Sequence, residues 1–199
     1  MAGMTEHNSV QQPLVDELVR LGWSYFDSAK LPRAVPPYLQ RLSLALGGAA
    51  YFAVMDENDI VFVARDGSNL VQNVGYVLGA RIPANLSSAG IAILSTYTPE
   101  DIDQWLSGRK FIPYSPFTAT TEEAVRQLID NARTNGYALL EQQIAQRVRG
   151  IAVPIRTHEG LVVGSISVSL PMGNETTENA VARALPMLRE AEYALLVAF

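Results

Sequence analysis

The chain has 199 residues, of which 48% are hydrophobic and 18% are charged, and its formal net charge is −5. This composition is typical of a globular α/β protein and excludes an intrinsically disordered chain. The acidic balance argues against phosphate binding as the main activity of this chain. The chain lacks cysteine, which excludes disulfides and thiolate catalysis and suits the reducing cytoplasm.

The N-terminal region is predicted to hold a disordered tail and a helix. Residues 1–12 are polar and lack the pattern of a signal peptide, and no apolar run is long enough to cross a membrane. Apolar residues recur at helical spacing over 13–31, which predicts a linker or oligomerisation helix. They cover more of its surface than one contact would bury, so we expect at least a dimer. Pro32 should end this helix, and Pro36-Pro37 should open a second that runs to about Leu46.

Three short strands are expected next. AAYFAVMD and DIVFVARD alternate about a turn at Glu57-Asn58, which predicts a hairpin, and a third strand is expected around 70–74. Gly75, Gly79 and Pro83 predict a loop, followed by a helix of small residues in NLSSAGIAILS.

Two helix N-termini are predicted from capping residues in the second half of the chain. Thr98 should cap a helix that ends near Gly108, and Thr120 or Thr121 should cap another through Asn135. Strands are predicted at 137–141, 149–156 and 161–170, followed by a final helix over 176–199 that Pro186 should bend or interrupt. Two runs of three strands joined by helices predict an α+β fold. Its curved, mainly antiparallel six-stranded sheet is flanked by helices, as in GAF and PAS domains.

The last strand, GSISVSLP, raises a question of function. Ser165, Ser167 and Ser169 share one face and alternate with apolar residues on the other. The hydroxyls could face water, bond to backbone in a closely packed core, or contact a ligand. Small residues over 87–90 and Gly150 on a neighbouring strand favour a small polar pocket, and the start of that helix could bind an anion.

Catalytic and metal sites are not indicated by the sequence. The G-x-S-x-G motif and phosphate-binding glycine loops are absent, and His7 and His158 have no reason to meet. We therefore predict no catalytic residue, no metal and no cofactor. Arg147 and Arg149 alternate, which is compatible with a salt bridge to Glu141, a solvated edge, or a clamp on a ligand carboxylate.

Four segments together resemble the C-terminal effector-binding domain of the isocitrate-lyase-regulator (IclR) family of bacterial transcription factors. They are LGWSYFDSAKLPRAVPPYLQRLSLALGG, YFAVMDENDIVFVAR, GARIPANLSSAGIAILS with the later PYSPFTATT loop, and GYALLEQQIAQRVRGIAVPIRTHEGLVVGSISVSLP. The resemblance implies that residues 32–199 bind a small organic acid, form homodimers or homotetramers, and control DNA binding through a winged helix-turn-helix. VLGARIPA and PYSPFT resemble the branch that senses aromatic acids. The matching pocket positions are Val71, Val74, Ile82, Ser88, Ala89, Leu140, Gly150, Ser167 and Ser169.

Departures from the family pattern modify these expectations. Asn85 stands where the family usually has a histidine, Leu140 replaces an acid, and Arg147 replaces a glycine, so we expect a less acidic pocket for a more apolar or larger anion. Too few residues precede Pro13 for a winged helix-turn-helix, which predicts a truncated chain or a stand-alone sensor. Two other hypotheses stay open: an enzyme of GAF-like fold acting on a small acid, and a ligand-free dimerisation domain.

Overall fold

The computed structural model describes residues 31–67 and 78–196. Its helices are α1 (Leu31–Leu46), α2 (Ser88–Leu94), α3 (Pro99–Leu106), α4 (Glu122–Asn135) and α5 (Thr177–Leu196), with a 3₁₀ turn at Ala84–Leu86. Its strands are β1 (Ala49–Asp56), β2 (Asp59–Asp66), β3 (Arg81–Pro83), β4 (Ala138–Glu141), β5 (Val148–Arg156) and β6 (Val162–Pro171). The predicted tail, the predicted linker helix up to residue 30 and the strand expected at 70–74 lie outside the described residues. None of the described helices has both the length and the apolar character required to cross a bilayer.

The strands form one curled, antiparallel six-stranded sheet in the order β3-β2-β1-β6-β5-β4. Its centre joins strands that are far apart in sequence, because β1 pairs with β6 from Ala49 opposite Ser169 to Ala53 opposite Ser165. The hairpins β1–β2 and β5–β6 extend the sheet on either side. This architecture confirms the predicted α+β fold class.

Helix α1 begins earlier than the prolines predicted. The expected start at Pro36-Pro37 is wrong, since the helix already runs from Leu31 and contains both prolines. Pro36 and Pro37 lie in the second turn, where each removes one i→i−4 hydrogen bond. Val35, Leu39 and Leu42 are buried against the core and stabilise the helix despite this loss.

The third described strand also departs from prediction. Residues 81–83 were expected in a loop but form β3, which pairs with Asp59–Val61 of β2. Three residues are a weak strand, and Pro83 is tolerated because β3 is at an edge of the sheet. Arg81 holds the strand in place through ion pairs with Asp56 and Asp59 on the neighbouring hairpin.

The remaining helices start close to where their caps were predicted. Thr98 accepts a hydrogen bond from the Asp101 N–H at 3.1 Å, and Thr121 accepts one from the Ala124 N–H at 3.1 Å. The small-residue helix is shorter than NLSSAGIAILS suggested, because Ser87 is extended and caps α2 at its start. Helix α5 runs without interruption through Pro186 to Leu196.

The sheet carries a separate apolar core on each face. One core packs large aliphatic side chains of β1, β5 and β6 against α1 and α5. The other joins the opposite face of the sheet to α2, α3 and α4. Ile166, Val168 and Leu170 belong to the first core, so Ser165, Ser167 and Ser169 belong to the second face, as the alternation predicted. We call these the α1/α5 face and the serine face.

Candidate functional site

Small side chains meet side by side on the serine face. Ser169 of β6 lies opposite Ala49 of β1 on one side and Gly150 of β5 on the other. One row further along, Ser167 lies between Tyr51 and Ala152. Residues that share a row of an antiparallel sheet have neighbouring side chains on the same face. The rows therefore leave room above the sheet beside one aromatic side chain.

Helix α2 closes part of this room at one position. A Cβ atom at Gly150 would lie 2.6 Å from the Ser88 Oγ and 3.1 Å from the Ser88 Cβ. Gly150 is therefore required for the start of α2 to approach the sheet. The sequence suggested that Gly150 leaves empty space. The hydroxyl of Ser88 instead occupies that space, next to the strand position of Ser169.

A cavity of about 40 Å³ lies between the serine face, the start of α2 and the β4–β5 loop. Its lining consists of Tyr51, Phe62, Leu86, Ser87, Ser88, Leu140, Gln142, Gln143, Ile144, Ala145, Val148, Gly150, Ser167 and Ser169. The rings of Tyr51 and Phe62 are tilted against each other with centroids 4.7 Å apart. Hydroxyls and amides thus face the same space as two aromatic rings, a combination typical of small-molecule pockets.

Three serine hydroxyls of the cavity make no hydrogen bond to other described residues. Among the described residues, the side-chain oxygens of Ser88, Ser167 and Ser169 have no hydrogen-bond partner in the protein. Ser88 and Ser167 are 6% and 4% exposed, so water reaches them little. Buried hydroxyls normally have a partner, and these three are placed to bond to a ligand or to water in the cavity.

Two other polar groups at the cavity have defined states. Burial raises the pKa of the Tyr51 phenol, against a smaller lowering by the nearby Arg65 guanidinium, so the phenol is neutral at pH 7. Ser87 accepts a hydrogen bond from the Ala89 N–H at 3.2 Å. The cap therefore already uses the Ala89 amide, which sequence reasoning had expected to hold a carboxylate.

The rim consists of Gln142 and Gln143 of the lining and of residues 115–119, which are hydrogen-bonded to them without lining the cavity themselves. Gln143 donates from Nε2 to the Phe117 carbonyl at 2.9 Å, and its Oε1 accepts from the Ala119 N–H at 2.9 Å. Thr118 donates to the Gln143 carbonyl at 2.5 Å, and Ser115 donates to the Gln142 carbonyl at 2.5 Å. These four hydrogen bonds join residues 115–119 to 142–143.

Arg149 does not clamp a ligand in this cavity. It lies on the α1/α5 face, where it is 3% exposed and its Nε is 2.5 Å from Glu141 Oε1. Its other nitrogens donate to the Thr176 carbonyl and the Thr177 hydroxyl at the start of α5. The salt bridge is thus the correct interpretation for Arg149. Arg147, exposed and at φ +60°, donates to the Met172 carbonyl and is absent from the cavity lining.

Five of the nine predicted site residues line the cavity: Ser88, Leu140, Gly150, Ser167 and Ser169. Ile82 and Ala89 are buried in the apolar core of the serine face and do not line it. Val71 and Val74 lie outside the described residues.

Sequence reasoning missed the aromatic wall and the rim of the cavity. Tyr51 and Phe62 read as ordinary strand residues, although their alternation along β1 and β2 could have placed them on the serine face. Gln142 and Gln143 follow β4. No sequence pattern placed them at the cavity, since their position depends on the fold of the loop.

Ser165 continues the row of serines but lies outside the cavity lining. It is fully buried between Ala53 and Pro154, and its hydroxyl has no hydrogen-bond partner among the described residues. Ser165, unlike Ser167 and Ser169, was not among the predicted pocket positions. A wider cleft of about 320 Å³ lies further along, lined mainly by Met55, Ile93, Tyr97 and 162–164. Within the described ranges, acidic and histidine side chains form no cluster suited to a metal ion.

Comparison with known proteins identifies the family. Residues 23–195 match the family described as "Bacterial transcriptional regulator IclR C-terminal". The "Pca regulon regulatory protein" of Pseudomonas putida is 29% identical over 179 residues, which cover 89% of this chain and 62% of that protein.

Two solved structures have similar folds. The PobR inducer-binding domain of Acinetobacter, a double mutant in complex with 3-hydroxybenzoic acid, is 26% identical with a TM-score of 0.77, covering 83% of this chain and 97% of that one. An IclR homologue of Microbacterium hydrocarbonoxydans in complex with 4-hydroxybenzoate is 28% identical with a TM-score of 0.73, covering 92% and 73%. The family and these relatives are transcriptional regulators rather than enzymes. The chain therefore belongs to the IclR C-terminal family of bacterial transcriptional regulators.

Proposed function

We propose that this chain is the effector-sensing domain of an IclR-type regulator and that its serine-face cavity binds a small aromatic carboxylate. The observation that carries the proposal is the pairing of three uncommitted hydroxyls, on Ser88, Ser167 and Ser169, with the aromatic wall of Tyr51 and Phe62. Hydroxyls can bond to a carboxylate or phenol, and the rings can pack against an aromatic ligand. The hydroxybenzoate complexes of the two solved relatives support the same class of ligand.

Ligand entry requires the cavity to widen. A volume of about 40 Å³ holds water, whereas a benzene ring occupies a cavity of roughly 150 Å³. The rim formed by 115–119 and 142–143 is the element we propose to move, because its two segments are joined by hydrogen bonds between loops. Binding would then shift the position of this rim, and that shift would carry the signal.

Assembly and output are proposed from the family. We propose that 13–31 form an oligomerisation helix preceding the effector-binding domain at 32–199, and that the chain works in the cytoplasm as a homodimer or homotetramer. In this proposal, effector binding modulates DNA contacts made by a winged helix-turn-helix. The apolar surface of the 13–31 helix, read from its sequence, supports association. Light scattering should give at least a dimer, and a monomer at micromolar concentration would contradict this part.

A thermal-shift panel tests the ligand proposal. A ligand that binds only the folded state raises Tm, so 3-hydroxybenzoate or 4-hydroxybenzoate should give a dose-dependent increase. The absence of a shift across hydroxybenzoates and small aliphatic acids would favour the dimerisation domain without a ligand. Turnover of any panel member, followed by chromatography of the mixture, would favour the enzyme.

A further inference from the structure

The polar groups that line the cavity are uncharged. We infer that the cavity recognises its aromatic ligand through neutral hydrogen bonds and ring contacts, without an ion pair, and that it rejects a second charge on the ligand. This inference rests on the proposed function and narrows its ligand class. An aromatic acid and its uncharged amide should therefore bind with similar affinity, and an aromatic dicarboxylate should bind far more weakly.

The lining itself gives the first argument. Within the described part of the chain, its polar side chains are serine hydroxyls, the Tyr51 phenol and the amides of Gln142 and Gln143, and none carries a formal charge. The undescribed internal segment 68–77, SNLVQNVGYV, contains no Asp, Glu, Lys, Arg or His in its sequence. A carboxylate at this site would be stabilised by the dipoles of hydroxyl and amide groups. Such dipoles stabilise one negative charge better than two.

The second argument is that the nearest charged side chains, within the described residues, do not line the cavity. Arg149 pairs with Glu141 on the opposite face of the sheet. Arg147 donates to the Met172 carbonyl at the surface. Arg65 lies over the ring of Tyr51, with its guanidinium carbon 6.0 Å from the ring centroid, and it is absent from the cavity lining.

Leu140 gives the third argument. It lines the cavity and is 4% exposed, so the position where the family resemblance led us to expect an acid presents an apolar side chain instead. Among the described residues that line the cavity, a ligand therefore meets neither a carboxylate nor a basic side chain. Specificity at this site comes from the number and position of hydrogen bonds.

Calorimetric titration with three matched ligands tests the inference. The probes are 4-hydroxybenzoate, 4-hydroxybenzamide and benzene-1,4-dicarboxylate. The first two should differ in Kd by less than about tenfold, and the dicarboxylate should be at least about tenfold weaker. Raising NaCl from about 50 mM to about 500 mM should change the Kd of the acid by less than about threefold, because no ion pair is screened.

The outcomes separate the two claims. Tightest binding of the dicarboxylate, or a steep loss of acid binding with salt, would overturn this inference while supporting an aromatic-acid sensor. Binding of none of the three would overturn the proposed function and this inference with it. Similar, salt-insensitive binding of acid and amide supports both.

A charge placed in the cavity lining provides a positive control for the measurement. Ile144→Lys puts a cation into the cavity lining, and it should favour the acid over the amide by at least about tenfold and make acid binding salt-dependent. Leu161→Lys adds the same charge at an exposed turn position outside the lining and should leave both affinities unchanged. Equal effects of the two lysines, or an unchanged acid-to-amide ratio in Ile144→Lys, would contradict the inference.

Discussion

The two faces of the sheet differ in what their side chains contact, although the same strands supply both. On the α1/α5 face, β6 contributes Ile166, Val168 and Leu170 to a closely packed core. On the serine face, the same strand contributes Ser165, Ser167 and Ser169, and the last two face a cavity. Alternate residues of one strand belong to different environments, so one set of side chains can contribute to stability and the other to binding. Substitutions on neighbouring residues should therefore have different consequences.

The largest expected effect is on the α1/α5 face. Ile166→Ala removes a fully buried side chain from the core between β6 and the helices, and it should lower the free energy of unfolding by about 3 kcal/mol. Urea denaturation measures the loss. Ser167→Ala, one residue along on the other face, is the matched control and should change stability by less than about 0.5 kcal/mol. Equal losses of stability for the two variants would contradict the difference proposed between the two faces of the sheet.

A smaller loss is expected at the buried arginine on the same face. Arg149→Met leaves Glu141 and Thr177 without their shared partner and should cost about 2 kcal/mol, less than for a fully buried pair because the Glu141 side chain is 31% exposed. Adding Glu141→Leu removes the carboxylate that has lost its cation and keeps only the Thr177 hydroxyl as a partner, and it should recover most of this loss in urea denaturation. A double variant less stable than Arg149→Met alone would contradict the account.

On the serine face, the tightest position should respond more weakly. Gly150→Ala places a methyl group against the Ser88 side chain, which can partly move away, so we expect a loss of about 1 kcal/mol. The cost should fall when Ser88 is changed to glycine, because both close atoms are then absent. A double-variant cycle by thermal denaturation measures this coupling. Additive effects would show that the Ser88 side chain is not what excludes a larger residue at position 150.

The smallest effect should have the opposite sign. Ser165→Ala removes a fully buried hydroxyl that has no partner among the described residues, so stability should stay unchanged or rise by up to about 1 kcal/mol. A destabilisation above about 1 kcal/mol would indicate that the hydroxyl makes an interaction the described residues do not include. Ligand binding should be unaffected, since Ser165 does not line the cavity.

The sequence predicted most of the fold because its signals were local. Hydroxyl caps, the alternation in β6 and the hairpin turns define elements by themselves, and they were confirmed. Strand β3 was missed because three residues carry no periodicity, and its pairing depends on Arg81 contacting acids on a different hairpin.

The site was predicted only in part, for the same reason. Ser167 and Ser169 followed from alternation along one strand, the small residues at 87–90 and Gly150 indicated the same pocket, and the family resemblance added Leu140. The aromatic wall and the glutamine rim arise where separate elements meet, and sequence spacing does not report such meetings. For Arg149, alternation along β5 gives the face opposite Gly150, but its partners Thr176 and Thr177 depended on the packing of α5.

The most direct test of the serine-face site is calorimetric titration of 4-hydroxybenzoate into three proteins. The wild-type chain should bind it, and Ser165→Ala should bind it equally well. The double variant Ser167→Val with Ser169→Val should lose binding by at least about tenfold, because two hydroxyls facing the cavity become methyl groups, while its circular dichroism spectrum stays that of the wild type. Undiminished binding by a folded double variant would contradict the assignment of the site.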